Sequence, residues 1–204
     1  MTSTDPRLKV LREGLAGLRP ALTAEQIDHF AHYYGLVLKW NSRLHLTTLT
    51  EPDQFLSRHI AEVCAAVGLI DAQVTGVWDL GSGLGVPGLP LRILRPDLDV
   101  LLVEASRKKA IFLETVIAEL GLTGCRVACQ RIEDLPAPTA DLLLTARAVE
   151  QMEELLPRLL ELAVSAGQLI LFISPDLARL LPGATIYPLP GAQQRCLASL
   201  KCST

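Results

Sequence analysis

Four glycines occur within the eight positions from Gly81 to Gly88, directly after a short apolar run, Val77–Leu80, and before a predicted helix, Leu89–Leu94. Glycine tolerates positive φ angles and lets a ligand approach the backbone without meeting a Cβ atom. A loop of this kind between a strand and a helix is typical of α/β domains that bind nucleotide-type ligands. The loop therefore predicts an α/β domain with a ligand site at this strand end.

After residue 76 the chain alternates between strand and helix patterns. Further strands are predicted at Val100–Val103, Arg126–Gln130, Asp141–Thr145, Gln168–Ile173, Ile186–Leu189 and Cys196–Lys201, and helices at Arg107–Leu120 and Met152–Ser165. Alternating β–α–β units form a parallel sheet that helices cover on both faces. The pattern therefore predicts a doubly wound α/β domain.

The first seventy residues follow a helical pattern instead. Thr23 and Gln26 have the spacing of a capping box, and apolar residues follow at helical intervals. A second helix is predicted to begin near Thr50–Asp53, where a proline suits the first turn. We therefore divide the chain into a helical N-terminal cap, residues 1–72, and an α/β domain, residues 73–204, which together form one compact unit.

Composition limits the possible classes of protein only broadly. Half of the 204 residues are hydrophobic and a fifth are charged, so a folded core is expected and intrinsic disorder is excluded. The formal net charge is −3, which gives no general argument for nucleic-acid binding, because that depends on local charge. No apolar run is long enough to cross a membrane, and the N-terminus lacks the apolar segment of a signal peptide.

The chain contains five cysteines, an odd number that fits free thiols in a reducing cytoplasm. Cys125 and Cys129 form a close pair, but no second Cys or His pair lies at zinc-finger spacing. We therefore predict a cytoplasmic protein without a metal site.

Two cofactors compete for the glycine loop. Its Gly-x-Gly-x-x-Gly spacing, Gly83–Gly88, matches the dinucleotide fingerprint, and Glu104 lies at the expected distance downstream. A pyrophosphate, however, requires backbone donors without a nearby anion, whereas Asp79 precedes the loop and Pro87 removes one donor. S-adenosylmethionine (SAM) has no phosphate and carries cationic sulfonium and ammonium groups, which an acidic residue at the strand end suits. The loop therefore favours SAM over NAD(P).

Three residues after later strands suit the remainder of this cofactor. Glu104 follows the second strand, where its carboxylate can accept hydrogen bonds from both ribose hydroxyls. Ile132 and Glu133 follow the third strand, where an apolar side chain and a carboxylate can flank an adenine ring and its amino group. These positions extend the predicted site from the first strand to the third.

Four segments together resemble one methyltransferase family. They are Lys39-Trp40-Asn41, Arg58-His59-Ile60, Asp79–Leu91 with its Pro-Gly-x-Pro-Leu ending, and Thr145-Ala146-Arg147-Ala148. On these motifs the chain resembles the RsmG family, the bacterial 16S ribosomal RNA guanine-N7 methyltransferases also called glucose-inhibited division protein B (GidB). The resemblance extends from about Thr23 to Lys201.

The resemblance implies a class I SAM-dependent fold, in which residues 73–204 form a Rossmann-like, doubly wound methyltransferase sheet of seven strands behind the helical cap. The implied partner is 16S rRNA, free or in the 30S particle, and we expect a monomer. Residues implied to contact the cofactor are Gly81, Gly83, Val86, Glu104, Ala105, Ile132, Glu133 and Arg147. Residues implied to face the RNA are Arg58, Arg107, Lys108 and Lys109.

The implied reaction needs no general base, because guanine N7 already carries a free lone pair. In-line positioning and removal of water are sufficient sources of catalysis. We therefore expect no catalytic acid or base, and we expect Arg147, Arg58 and His59 to position the substrate.

Some positions depart from the family pattern and leave other functions open. Phe172-Ile173-Ser174 stands where the family commonly has Leu-Lys-Gly, and Glu62 and Glu104 stand where it has Asp. One alternative is a methyltransferase of the same fold that acts on another RNA or a small molecule. Another is a SAM-binding module that has lost catalysis, and the weakest is an NAD(P)-linked oxidoreductase.

Overall fold

The structure, a computed structural model, describes residues 5–138, 141–149, 151–189 and 191–202. The first four residues of the predicted cap, including those inspected for a signal peptide, lie outside the described ranges. No helix within these ranges is long and apolar enough to cross a membrane.

Two long helices begin the chain. Helix α1 spans Pro6–Ala16 and α2 spans Ala24–Leu44. The predicted capping box is confirmed, because the Gln26 amide donates to Thr23 Oγ1 at 3.1 Å and the Thr23 amide donates to Gln26 Oε1 at 2.9 Å. The residue that follows α2, His45, caps the helix with a left-handed φ of 47°.

The second predicted helical region contains an unexpected wide turn. It begins as α3, Pro52–Phe55, continues as a π-helical turn, Leu56–Ala61, and ends as α4, Glu62–Val67. Periodicity predicted a helix here but gave no sign of the π turn. Such turns are rare in proteins, but those that occur are often found at functional sites. This one carries Arg58 and His59.

The predicted seven strands form one sheet, which is mixed rather than wholly parallel. They are β1 (Gly76–Leu80), β2 (Asp99–Val103), β3 (Cys125–Ala128), β4 (Leu142–Arg147), β5 (Gly167–Ile173), β6 (Thr185–Leu189) and β7 (Ala192–Lys201). Their order is β3-β2-β1-β4-β5-β7-β6. The expectation of a parallel sheet is confirmed for β1 to β5 and wrong for β7, which is antiparallel to both its neighbours. Only two residues separate β6 from β7, and a connection this short can join strands only as a hairpin.

Helices cover both faces of the sheet. Helices α5 (Gly88–Leu94) and α6 (Arg107–Leu120) pack with α1 and α2 on one face, and α7 (Met152–Ala166) and α8 (Pro175–Ala178) pack on the other. Alternate residues of each strand contribute to the two cores: Val77 to the cap side and Leu80 to the α7 side. Cap and sheet residues thus share one hydrophobic cluster, and the boundary at residue 72 stays a prediction.

Candidate active site at the ends of the parallel strands

A cavity with a volume of about 1020 Å³ lies beyond the carboxyl ends of β1, β2 and β4. Strand order reverses between β1 and β4, and ligands of open α/β sheets bind at such a reversal. The cavity is lined by every residue predicted to contact the cofactor: Gly81, Gly83, Val86, Glu104, Ala105, Ile132, Glu133 and Arg147. The fold therefore brings together residues that lie on four separate segments of the sequence.

The glycine loop forms the floor of this cavity. Gly81, Gly83 and Gly85 have φ angles of 73°, 58° and 98°, which L side chains rarely adopt. The amides of Gly81 and Ser82 both donate to the Val103 carbonyl at 2.9 Å, so the loop is tied to the end of β2. A Cβ atom on Gly81 would lie 2.7 Å from the Val149 side chain across the cavity wall. Gly81 is therefore required both by its backbone conformation and by the lack of room for a side chain.

The side chain of Glu104 is held against this loop by hydrogen bonds from two backbone amides. The side chain is buried, Oε2 accepts from the Gly83 amide at 2.8 Å, and Oε1 accepts from the Ser106 amide at 2.8 Å. Each carboxylate oxygen can still accept a further hydrogen bond. The carboxylate is therefore fixed in place and available for a pair of hydroxyl donors, as the predicted ribose contact requires.

Asp79 lies in a different place from the one predicted from its position before the loop. Its side chain is fully buried beneath the loop and does not line the cavity. Oδ2 accepts from the Gly88 amide at 3.0 Å, and burial raises the pKa of this carboxyl to about 7. The interpretation of Asp79 as a partner for a cationic cofactor is therefore wrong. Side chains alternate along β1, so Asp79 lies on the same face as Val77, the face that the cap helices cover.

A short 3₁₀ turn, Ile132–Asp134, forms the adenine side of the predicted site. Ile132 is buried and Glu133 is exposed, and both line the cavity. Arg158 of α7 donates from Nη2 to the Leu135 carbonyl and thereby holds the end of this turn. Sequence reasoning missed Arg158, because nothing in its local pattern distinguishes it from other polar residues of an amphipathic helix.

The cap contributes one whole wall of the cavity. The segment 45–49 lines it, and Asn41 clamps this segment by donating to the Thr47 carbonyl and accepting from the Thr47 amide, both at 2.9 Å. Tyr33 of α2 reaches the glycine loop, where its hydroxyl donates to the Leu84 carbonyl at 2.8 Å. The sequence motif at Lys39-Trp40-Asn41 included the clamp, but Tyr33 had no sequence signal.

His59 also lines the cavity, as a neutral group. Its Nε2 lies 3.2 Å from Thr47 Oγ1, and its ring meets the Phe55 ring edge-on at 4.9 Å. Burial, reinforced by Arg147 and Arg58, lowers the pKa of His59 to about 3. Within the described ranges, no group of three or more His, Cys, Asp or Glu side chains is arranged to hold a metal ion.

Three arginines surround one buried carboxylate beside His59. Arg58, Arg147 and Arg195 contact the carboxylate of Glu62 at 3.2, 3.4 and 2.5 Å. The Arg147 side chain is 9% exposed, and its guanidinium lies 5.8 Å from the centre of the Phe172 ring. Sequence reasoning gave no role to Glu62 or Arg195, because the contact between these two residues joins positions 133 residues apart.

The cavity is basic although the whole chain is acidic. Among the described residues that line it, five basic side chains outnumber three acidic ones: Arg58, Lys109, Arg131, Arg147 and Arg158 against Glu104, Glu133 and Glu154. Of the run predicted to face RNA, Lys109 lines the cavity, whereas Arg107 and Lys108 are exposed outside it. Their contact with RNA stays a prediction.

Comparison with known proteins agrees with this geometry. Residues 26–174 match the family model described as rRNA small subunit methyltransferase G. The chain is 36% identical to Ribosomal RNA small subunit methyltransferase G of Laribacter hongkongensis, covering 78% of this chain and 75% of the relative. It is 34% identical to the protein of the same name from Chromobacterium violaceum, covering 78% and 76%.

A similarity to solved structures supports the fold. An RNA methyltransferase from Salinibacter ruber, solved in complex with S-adenosyl-L-homocysteine, superposes with a TM-score of 0.53 at 17% identity, covering 69% of this chain and 89% of that one. The predicted class I methyltransferase architecture is thereby confirmed. The family match extends over most of the chain and includes the glycine loop, Arg58-His59 and Arg147. The chain belongs to the rRNA small subunit methyltransferase G family, as its motifs predicted.

Proposed function

We propose that this protein transfers the methyl group of SAM to N7 of a guanine in 16S rRNA, free or in the 30S particle. The observation that carries the proposal is the convergence of the family motifs on one cavity. Arg58, His59, the loop residues Gly81–Leu84 with Val86, and Arg147 line a single space although up to 89 residues separate them in the chain. Residues selected only for packing would not need to share a cavity of this size.

The cavity fits the methyl donor. Its floor includes the backbone of Gly81 and Gly83, Glu104 presents a fixed carboxylate, and Ile132 offers an apolar surface. These groups suit hydrogen bonds from the ribose hydroxyls to Glu104 and an apolar wall for adenine at Ile132. SAM supplies an electrophilic methyl group on a sulfonium centre.

The residues around the cavity can position a guanine without exchanging protons with it. With its pKa lowered to about 3, His59 is neutral at physiological pH and is not a general acid there. Arg147 is nearly buried, and its fixed guanidinium can donate to guanine O6 while leaving N7 free. Rate enhancement then comes from alignment and exclusion of water.

The RNA must present the base outside a helix, because the major groove of A-form RNA is too deep and narrow for side chains to reach N7. The basic lining of the cavity, continued by Lys109 towards exposed Arg107 and Lys108, supports phosphate contacts along this approach. We further propose that the protein acts in the cytoplasm as a monomer.

The test is methyl transfer from labelled SAM to undermodified 30S particles, followed by mapping of the modified nucleotide. We expect one 7-methylguanosine in 16S rRNA. Arg147→Gln should reduce transfer strongly, whereas Arg95→Gln should not, because Arg95 pairs with Asp97 in the loop before β2, at the amino ends of the parallel strands and away from the cavity. SAM binding without transfer to any RNA would overturn the proposal and favour a binding module.

A further inference from the structure

The carboxylate of Glu62 is surrounded by more positive charge than it can neutralise. Its side chain is 3% exposed and contacts Arg58 from the π turn, Arg147 from the end of β4 and Arg195 from β7. Among the residues that the structure describes, these three arginines form salt bridges with no other carboxylate. The cluster therefore carries two uncompensated positive charges.

Packing alone does not explain this surplus. One arginine would suffice to pair a buried carboxylate, and each further guanidinium adds repulsion that a low-dielectric environment strengthens. Two of the three side chains keep access to solvent, because Arg58 is 34% and Arg195 is 24% exposed. Planar guanidinium groups with free N–H donors are the usual receptors for phosphate. The arrangement is that of a preformed anion site.

The position of the cluster specifies which anion would reach it. Arg58 and Arg147 line the cavity that we assign to the cofactor and the target guanine, whereas Arg195 lies beyond its wall. An anion bound by this cluster would therefore lie beside this cavity. Since a nucleotide flipped into the cavity carries its own phosphate, the RNA backbone is the anion that fits.

We propose that Glu62 is a positioning residue that holds Arg58, Arg147 and Arg195 as a receptor for one backbone phosphate of the RNA. This inference rests on the proposed function. Glu62 does not touch the substrate. Its carboxylate gathers guanidinium groups from three elements, the cap, β4 and β7, into one cationic cluster.

The charge of Glu62 makes the proposal testable by the sign of an effect. Glu62→Gln removes a negative charge, so electrostatics alone predicts tighter RNA binding. Positioning predicts the opposite, because the arginines would repel one another and separate. Glu62→Asp keeps the charge and should restore much of the binding. Asp97→Asn, which removes the carboxylate of the Arg95–Asp97 pair at the amino ends of the parallel strands, is the matched control.

Arg195→Gln is the second variant, because it leaves Glu62 with two arginine partners and so retains a buried pair if Glu62→Gln fails to fold. Loss of one phosphate contact should weaken RNA binding about tenfold and lower the slope of log K against log salt by about 0.7 to 0.9. Arg95→Gln has a similarly exposed side chain, 29% against 24%, and should leave both quantities unchanged.

The experiment measures fluorescence anisotropy of a labelled RNA stem-loop with a guanine in its loop, over a range of KCl concentrations and without SAM. Methyl transfer kinetics and calorimetry with SAM complete it. We expect Arg195→Gln to raise the KM for RNA with little change in kcat or in SAM affinity. Glu62→Gln should raise the KM as well and should also lower kcat, because it releases Arg147. Tighter binding by Glu62→Gln, or an unchanged salt slope in Arg195→Gln, would overturn the proposal. Because binding is measured without SAM, absence of methyl transfer by the unaltered protein would refute the proposed function alone.

Discussion

Replacing Tyr33 by Phe removes one hydroxyl that joins the cap to the glycine loop. Tyr33 is fully buried, and its hydroxyl donates to the Leu84 carbonyl at 2.8 Å. Leu84 lies in the loop that forms the cavity floor. The substitution leaves the ring in place and leaves the Leu84 carbonyl without this donor, so it perturbs the loop with little change in packing.

The expected magnitude follows from the burial of this hydrogen bond. Loss of a buried partner costs about 1 to 3 kcal/mol when the remaining group stays unsatisfied. If the loop relaxes locally instead, the fraction of molecules with a binding-competent loop falls, and the apparent dissociation constant for SAM rises in proportion. A loss of about 0.5 to 1.4 kcal/mol at the loop corresponds to a two- to tenfold weaker affinity.

Tyr34→Phe is the matched control on the same helix. Tyr34 is also fully buried, and its hydroxyl donates to the Thr50 carbonyl at 2.6 Å, away from the glycine loop. Denaturant unfolding should show a comparable loss of stability in both variants, whereas calorimetry should show weaker SAM binding only for Tyr33→Phe. Equal SAM affinities for the two variants would refute the claim that the cap supports the loop.

Three further changes test other parts of the site. Gly81→Ala places a Cβ at a φ of 73°, 2.7 Å from the Val149 side chain, and should weaken SAM binding in calorimetry by about tenfold or more. Gly121→Ala, at a φ of 61° in open space, is the control and should lower stability alone. Equal SAM affinities of the two variants would contradict the assignment of the loop to the cofactor. Burial raises the pKa of Asp79 to about 7, so its contribution to stability is complete below about pH 4 and is lost as the pH rises through 7. Asp79→Asn removes this titration. In denaturant unfolding, the free energy of unfolding of the variant should rise by up to about 4 kcal/mol relative to that of the unaltered protein between pH 4 and pH 8. Parallel curves of unfolding free energy against pH would show that Asp79 does not titrate in this range. Arg158→Gln frees the turn that Ile132 begins and should weaken SAM binding about three- to tenfold, an effect that unchanged calorimetric affinity would disprove.

Most of the local structure could be predicted from the sequence. The helix Arg107–Leu120 has the predicted bounds, and the capping box at Thr23 forms as expected. The glycine loop lies between β1 and α5 with positive φ angles at Gly81, Gly83 and Gly85. These features depend on side-chain periodicity, capping and glycine backbone freedom, which act between residues a few positions apart. For the same reason, the motif residues on the loop could be assigned to a ligand site from the sequence alone.

Tertiary structure decided what periodicity leaves undetermined. Asp79 lies near the end of β1 in a position that suits either a ligand or the core, and only the packing of helices on that face buries it. The π turn that carries Arg58 is a small change in backbone hydrogen bonding that residue spacing does not encode. Glu62 and Arg195 meet across 133 residues of sequence, because the sheet places β7 beside β5 and the cap lies over the strand ends. Local interactions determine which elements form, whereas the arrangement of charges around the cavity depends on how those elements pack.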